Sequence, residues 1–114
     1  YDHAEGFAAG ELKHGPLALV TDQTPVLAVL TEGAKAPKTQ NNIKEVQARG
    51  APVIAATSLD ENKHATESLP VPEVGLFEPL VANVYWQLLA YHVAAYKGRP
   101  IDKPRNLAKS VTVE

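Results

Sequence analysis

Two apolar pentads, Val26-Leu27-Ala28-Val29-Leu30 and Val53-Ile54-Ala55-Ala56-Thr57, flank a segment patterned as a helix, and that order leaves few folds open. A continuous apolar run of strand length is usually covered on both faces, as in a parallel sheet. Between the pentads, 39–48 sets Ile43 and Val46 on one helical face, with Lys44, Glu45 and Gln47 on the other. Thr39 offers an amino-terminal cap, and Arg49-Gly50 ends the pattern. Strand, helix and strand at this length form a βαβ unit, whose crossover is right-handed in nearly every known case. The expected fold class is therefore α/β, a parallel sheet in a three-layer αβα arrangement.

The flanking sequence fits that frame. An alanine-rich stretch, 2–13, predicts a helix closed by His14-Gly15-Pro16, and 17–20 is a short apolar link. A turn at 22–25 leads into the first pentad, and 31–38, with Gly33 and Pro37, is a loop. After a polar connection at 58–64, 65–71 is a weaker strand that Pro70 and Pro72 either put at a sheet edge or end early. A turn at 73–78 then precedes Pro79, which opens a long helix to Tyr96 closed by Lys97-Gly98. That helix is apolar nearly all round and is expected to be sandwiched. Asn83, Gln87 and His92 interrupt it, so it is no membrane span. Three strands are few for a doubly covered sheet, and the chain starts at Tyr1 with no methionine. Both features lead us to expect a piece of a longer protein, with further strands upstream.

Charge and composition remove several function classes. A formal net charge of −2 with dispersed lysines and arginines disfavours nucleic acid. Zero cysteines exclude disulfides and thiolate metal sites, which suits a cytoplasmic protein. His3 and His14 are too far apart for a helical metal pair, so no metal is expected, and nothing implies a cofactor.

The last segment, Pro104-Arg105-Asn106-Leu107-Ala108-Lys109-Ser110-Val111-Thr112-Val113-Glu114, is unusually patterned for a carboxyl end, where side chains are ordinarily polar and loosely constrained. We divide the chain into a domain, 1–103, and this tail, 104–114. Leu107, Ala108, Val111 and Val113 give the tail something to bury around Lys109. A free lysine titrates near pH 10.4 and is protonated at neutral pH; only surroundings that disfavour the ammonium make it a nucleophile.

Three blocks together point to a family. Glu11-Leu12-Lys13-His14-Gly15-Pro16-Leu17-Ala18, Gln87-Leu88-Leu89-Ala90-Tyr91-His92 and the stretch from Asp102-Lys103-Pro104 to Val113-Glu114 resemble the end of the glutamine:fructose-6-phosphate aminotransferases, the glucosamine-6-phosphate synthases. The resemblance covers essentially the whole chain, which looks like the closing half of the second of two sugar isomerase (SIS) domains. It implies that Lys109 lines the sugar site and forms an imine with the open-chain ketose, and that His14 reaches a neighbouring subunit's site to help open the ring. It further implies that Ala108 and Val111 lie at the site and along an ammonia channel, and that Arg105 meets a glutaminase domain. The family's proton-shuttling carboxylate would lie just before Tyr1, and its phosphate-binding loop in the first SIS domain. The implied partners are fructose 6-phosphate and glucosamine 6-phosphate, a second subunit, and the glutaminase and first SIS domains of the same protein; the 114 residues alone are then expected to be inactive.

The chemistry suits these residue types. A cyclic ketose must lose its anomeric hydroxyl proton and gain one at the ring oxygen before a carbonyl exists, and an imidazole does both near neutral pH. An amine can then attack, provided that water is excluded, which an apolar tail closing over the sugar would achieve. Each residue also has a plainer reading: His14 as a helix-end charge, Lys109 as a surface lysine, the tail valines as an edge strand docked on a neighbour. A second function on the same SIS fold, a sugar-phosphate-binding regulator in which no imine forms, remains open at this stage. His92 reads as a hydrogen-bonded core histidine, His64 as a loop residue, and Tyr85, Trp86, Tyr91 and Tyr96 as packing. Glu5 and Glu11 read as solvated or capping charges, while Gly6 and Gly10 would permit close helix packing.

Overall fold

The computed structural model describes residues 1–59 and 65–107. Three parallel strands, β1 (Val26–Leu30), β2 (Val53–Thr57) and β3 (Glu67–Pro70), form one sheet in the order β1-β2-β3. Val26 stands opposite Val53 and Leu30 opposite Thr57, while Ile54 pairs with Glu67 and Thr57 with Pro70. Both pentads are strands to the residue, and the proline-bearing strand lies at an edge, as its missing N–H requires.

Helix α1 (Ala36–Gln47) joins β1 to β2 and covers one face. Its Ala36, Ile43 and Val46 pack with Leu17, Leu30, Ala51 and Val53. The helix begins three residues before the expected cap. Pro37 sits in its first turn, where an absent N–H costs nothing, and the Thr39 hydroxyl donates back to the Lys35 carbonyl at 3.3 Å. Helix α2 (Glu78–Tyr96) lies on the other face, where Ala82 meets Ala56 and Val71 within a frame of Val81, Tyr85 and Trp86. Val53 and Ala56 are an odd number of residues apart on one strand, so they point to opposite sides and the two clusters make three layers. Tyr85 fastens α2 to the edge strand, its hydroxyl donating to the Pro70 carbonyl at 2.6 Å. Past Tyr96 the chain closes on Gly98 (φ 61°), whose N–H donates to Ala95 O at 3.0 Å while Arg99 N–H donates to Ala94 O at 2.8 Å. This pair of bonds is the Schellman closure that favours glycine.

Four expectations are corrected. No α-helix forms over 2–13: residues 1–8 are irregular, and two short 3-10 helices, Ala9–His14 and Pro16–Leu19, follow. Ala9–His14 buries no residue, and two glycines weaken a segment that is marginal without packing. A Cβ at Gly6 or Gly10 would meet nothing within 4 Å, so no close helix packing exists there. Among the described residues, helix α2 is not sandwiched. Leu80, Val84, Leu88 and Tyr91 form an exposed stripe at helical spacing, and on β1 the side chains of Leu27 and Val29 are likewise bare. His92 is no core residue: it is exposed, and its ring meets that of Tyr91 edge-on at 5.2 Å. The radius of gyration, 16.1 Å, exceeds the value of about 13 Å expected for a compact domain of this length, in keeping with uncovered faces. Among the described residues, no helix is long and apolar enough to cross a membrane.

Candidate active-site elements

His14 is the last residue of the 3-10 helix Ala9–His14, and the chain turns at once through Gly15 at φ 147°, a conformation that only glycine adopts without strain. Both flanks of this corner are anchored. Lys13 pairs with Glu45 of α1 at 2.8 Å, Leu12 packs against the α1 core, and Leu17 is buried within it. The imidazole itself points outward, 75% exposed, with Glu11 Oε2 3.9 Å from its Nε2. An imidazole displayed on a fixed, open corner is free to accept and return a proton to a group presented from outside the chain.

Arg105 forms the second element. Its guanidinium lies 4.3 Å from the centre of the Tyr1 ring, with that of Arg99 at 5.9 Å, and its backbone N–H donates to the Tyr1 hydroxyl at 2.8 Å. Beside them Lys97 Nζ donates to both carboxylate oxygens of Asp2, at 2.8 and 2.7 Å. That hydrogen bond first, and the lysine's charge second, hold the Asp2 carboxyl below its ordinary value of 3.8. Tyr1, Gln87, Tyr91, Ile101 and Pro104 line an apolar depression of about 340 Å³ between the chain's start and the approach to the tail. Lys109, Ala108 and Val111 lie outside the described residues, as does His64. The described residues thus join Arg105 to Tyr1, while the recorded polar neighbour of His14 is Glu11.

The sequence reading missed a third cluster, at the carboxyl ends of the strands. Glu78, assigned to a turn, is instead the first residue of α2 and is buried. The Ser58 hydroxyl and the Glu32 N–H both donate to its Oε2. Glu32 and Glu78 border an open groove of about 520 Å³ with Thr31, Gly33, Gly75 and Leu76. A glutamate directly before a helix-opening proline was the available signal, because a carboxylate complements the dipole of a first turn. Among the described residues, no three His, Asp or Glu side chains converge as a metal site would require.

A model of the SIS domain matches residues 1–97, stopping short of the tail. Over its whole length the chain is 67% identical to the glutamine–fructose-6-phosphate aminotransferase [isomerizing] of Halobacterium salinarum, of which it spans 19%. It is 50% identical to a protein of the same name from Sphingobium yanoikuyae, again along the entire chain and over 76% of that sequence. This chain belongs to the glutamine–fructose-6-phosphate aminotransferase family. The C-terminal domain of the glucosamine-fructose-6-phosphate aminotransferase from Francisella tularensis superposes with a TM-score of 0.81 at 39% identity, covering 90% of this chain and 30% of that one. The bare stripe of α2 and the bare face of β1 are therefore features of an SIS fold whose family members extend well beyond these 114 residues.

Proposed function

We propose that this chain is the carboxyl-terminal part of the second SIS domain of an enzyme that converts fructose 6-phosphate and glutamine to glucosamine 6-phosphate and glutamate. The observation that carries the reading is the 67% identity to a relative named for that activity, sustained along the full chain and through the tail. In this reading His14 serves the site of a neighbouring subunit, taking the anomeric hydroxyl proton and returning it to the ring oxygen. Its outward aim from an anchored corner supports that role. The Lys109 amine adds to the C2 carbonyl of the open ketose, and loss of water leaves an imine. Ala108 lines the sugar site, Val111 borders the route by which ammonia arrives, and Arg105 stands where a glutaminase domain approaches. The enzyme works as a homodimer in the cytoplasm, with the glutaminase and first SIS domains supplied by the rest of the protein.

Borohydride reduction of the full-length enzyme in the presence of fructose 6-phosphate tests the reading. A sugar adduct at Lys109 is the expected result, and an unmodified Lys109 alongside intact amino-sugar synthesis would overturn it.

A further inference from the structure

We propose that Tyr1 is a positioning residue that sets where the carboxyl-terminal tail departs from the domain. The inference rests on the role proposed for Lys109, since fixing the tail matters to the reaction only if that amine reacts.

Tyr1 holds Arg105 in two ways. The hydroxyl accepts from the Arg105 backbone N–H at 2.8 Å, which fixes main chain, and the ring carries the guanidinium at 4.3 Å, which fixes side chain. Among the described residues, that hydrogen bond is the only one given to the backbone of 100–107, so the approach to the tail has no other polar tether there. The clasp has a firm base. Asp2, next to Tyr1, is held by Lys97 through both carboxylate oxygens, and Lys97 sits on the closed end of α2. Directly after the clasp Asn106 takes φ 60°, a left-handed conformation that asparagine adopts more easily than most residues, and this turns the chain. Lys109 follows three residues later. The start of the chain, the end of α2 and the root of the tail are thereby joined into one unit. A misplacement of about 1 Å in an attacking group can cost on the order of a hundredfold in rate, so a loose root would be felt at the amine.

The test uses the full-length enzyme with Tyr1→Leu, which removes both contacts, and Tyr1→Phe, which keeps the ring and removes the hydroxyl. Tyr1→Leu is expected to lower kcat for glucosamine 6-phosphate about tenfold, while KM for fructose 6-phosphate stays within about twofold and glutamate release from glutamine is unchanged. Tyr1→Phe is expected to fall between Tyr1→Leu and the unaltered enzyme. Trypsin reports the clasp directly. The bonds after Arg99 and Lys103 precede prolines and resist cleavage, so faster scission of the Arg105-Asn106 bond, with the melting midpoint unchanged, reads a loosened root. Unaltered kcat together with unaltered cleavage in Tyr1→Leu overturns the proposal. Should Tyr1→Leu fail to fold, Tyr1→Phe decides, and unchanged cleavage after Arg105 in that variant overturns it. Absence of borohydride trapping at Lys109 in the unaltered enzyme would instead overturn the imine assignment, and the cleavage rates would still judge the clasp.

Discussion

The Ser58 hydroxyl donates a 2.7 Å hydrogen bond to Oε2 of Glu78, a carboxylate only 3% exposed, and the Glu32 N–H reaches both the Ser58 oxygen, at 3.0 Å, and the same carboxylate oxygen, at 3.3 Å. Three segments meet in this contact: the loop after β1, the loop after β2 and the first turn of α2. A buried carboxylate is tolerable only when it is hydrogen-bonded, and its place at a helix amino terminus helps further. Ser58→Ala removes the one side-chain donor to Glu78 among the described residues, and it is expected to destabilise the fold by about 1.5–3 kcal/mol. Ser58→Thr, which keeps the hydroxyl, should recover most of that loss. Urea titrations of the three proteins give the comparison, and equal midpoints would mean that the contact contributes nothing.

Helix α2 approaches the sheet through its smallest side chains, Ala82 against Ala56, both fully buried, with Val71 beside them. A larger group at either position would have to displace its buried neighbours. Ala82→Leu is expected to push the helix outward at a cost of about 1–3 kcal/mol and to weaken the bond from Tyr85 to the Pro70 carbonyl. A drop in denaturation midpoint, with loss of amide protection in 78–86, would report it. Unchanged protection would show that the helix does not rest on Ala56.

The strands and the βαβ order were legible because apolar runs bounded by turn residues admit few arrangements, and β1 and β2 fall where those runs lie. Residues 2–13 were misread because an alanine-rich composition says nothing of what a helix would pack on, and here Ala9–His14 buries no residue. Helix α2 was placed to within a residue, but its surroundings were not. Sequence shows that Leu80, Val84 and Leu88 need cover without showing whether this chain supplies it. His14 was legible as a displayed corner because glycine and proline follow it directly. The Tyr1 contact with Arg105 was invisible for the opposite reason: a pairing across 104 positions leaves no local pattern.

The ion pair of Asp2 with Lys97 sets a pH dependence whose sign is fixed. The folded state holds the Asp2 carboxyl below its ordinary 3.8, first through the hydrogen bond from Lys97 and then through that lysine's charge. A depressed acid contributes its stability above the unfolded value and loses it as pH falls through the folded one, so the Asp2–Lys97 pair should hold at neutral pH and loosen below pH 3.8. Both partners are substantially exposed, so salt should weaken the effect. Carboxyl chemical shifts followed against pH are expected to show Asp2 titrating below 3.8 and returning toward it in Lys97→Met. An identical curve in that variant would remove the lysine as the cause.

The exposed corner allows a test of whether a neighbouring subunit supplies part of the proposed site. Because the His14 side chain is 75% exposed and its recorded polar neighbour is Glu11, His14→Asn should leave stability within about 0.5 kcal/mol while abolishing amino-sugar synthesis in the full-length enzyme. Lys109→Arg, which keeps the charge and loses the nucleophile, should abolish it as well. If each site takes Lys109 from one subunit and His14 from its neighbour, a mixed dimer of the two variants contains one site with both defects and one with neither. Random reassociation of equal amounts yields about half mixed dimers, so two inactive proteins should regain about a quarter of the unaltered activity once their subunits are exchanged. The measurement is glucosamine 6-phosphate formation before and after exchange. Mixtures that stay inactive, though hybrids are shown to form by mass, would place both residues in the same subunit's site and remove the need for a neighbour.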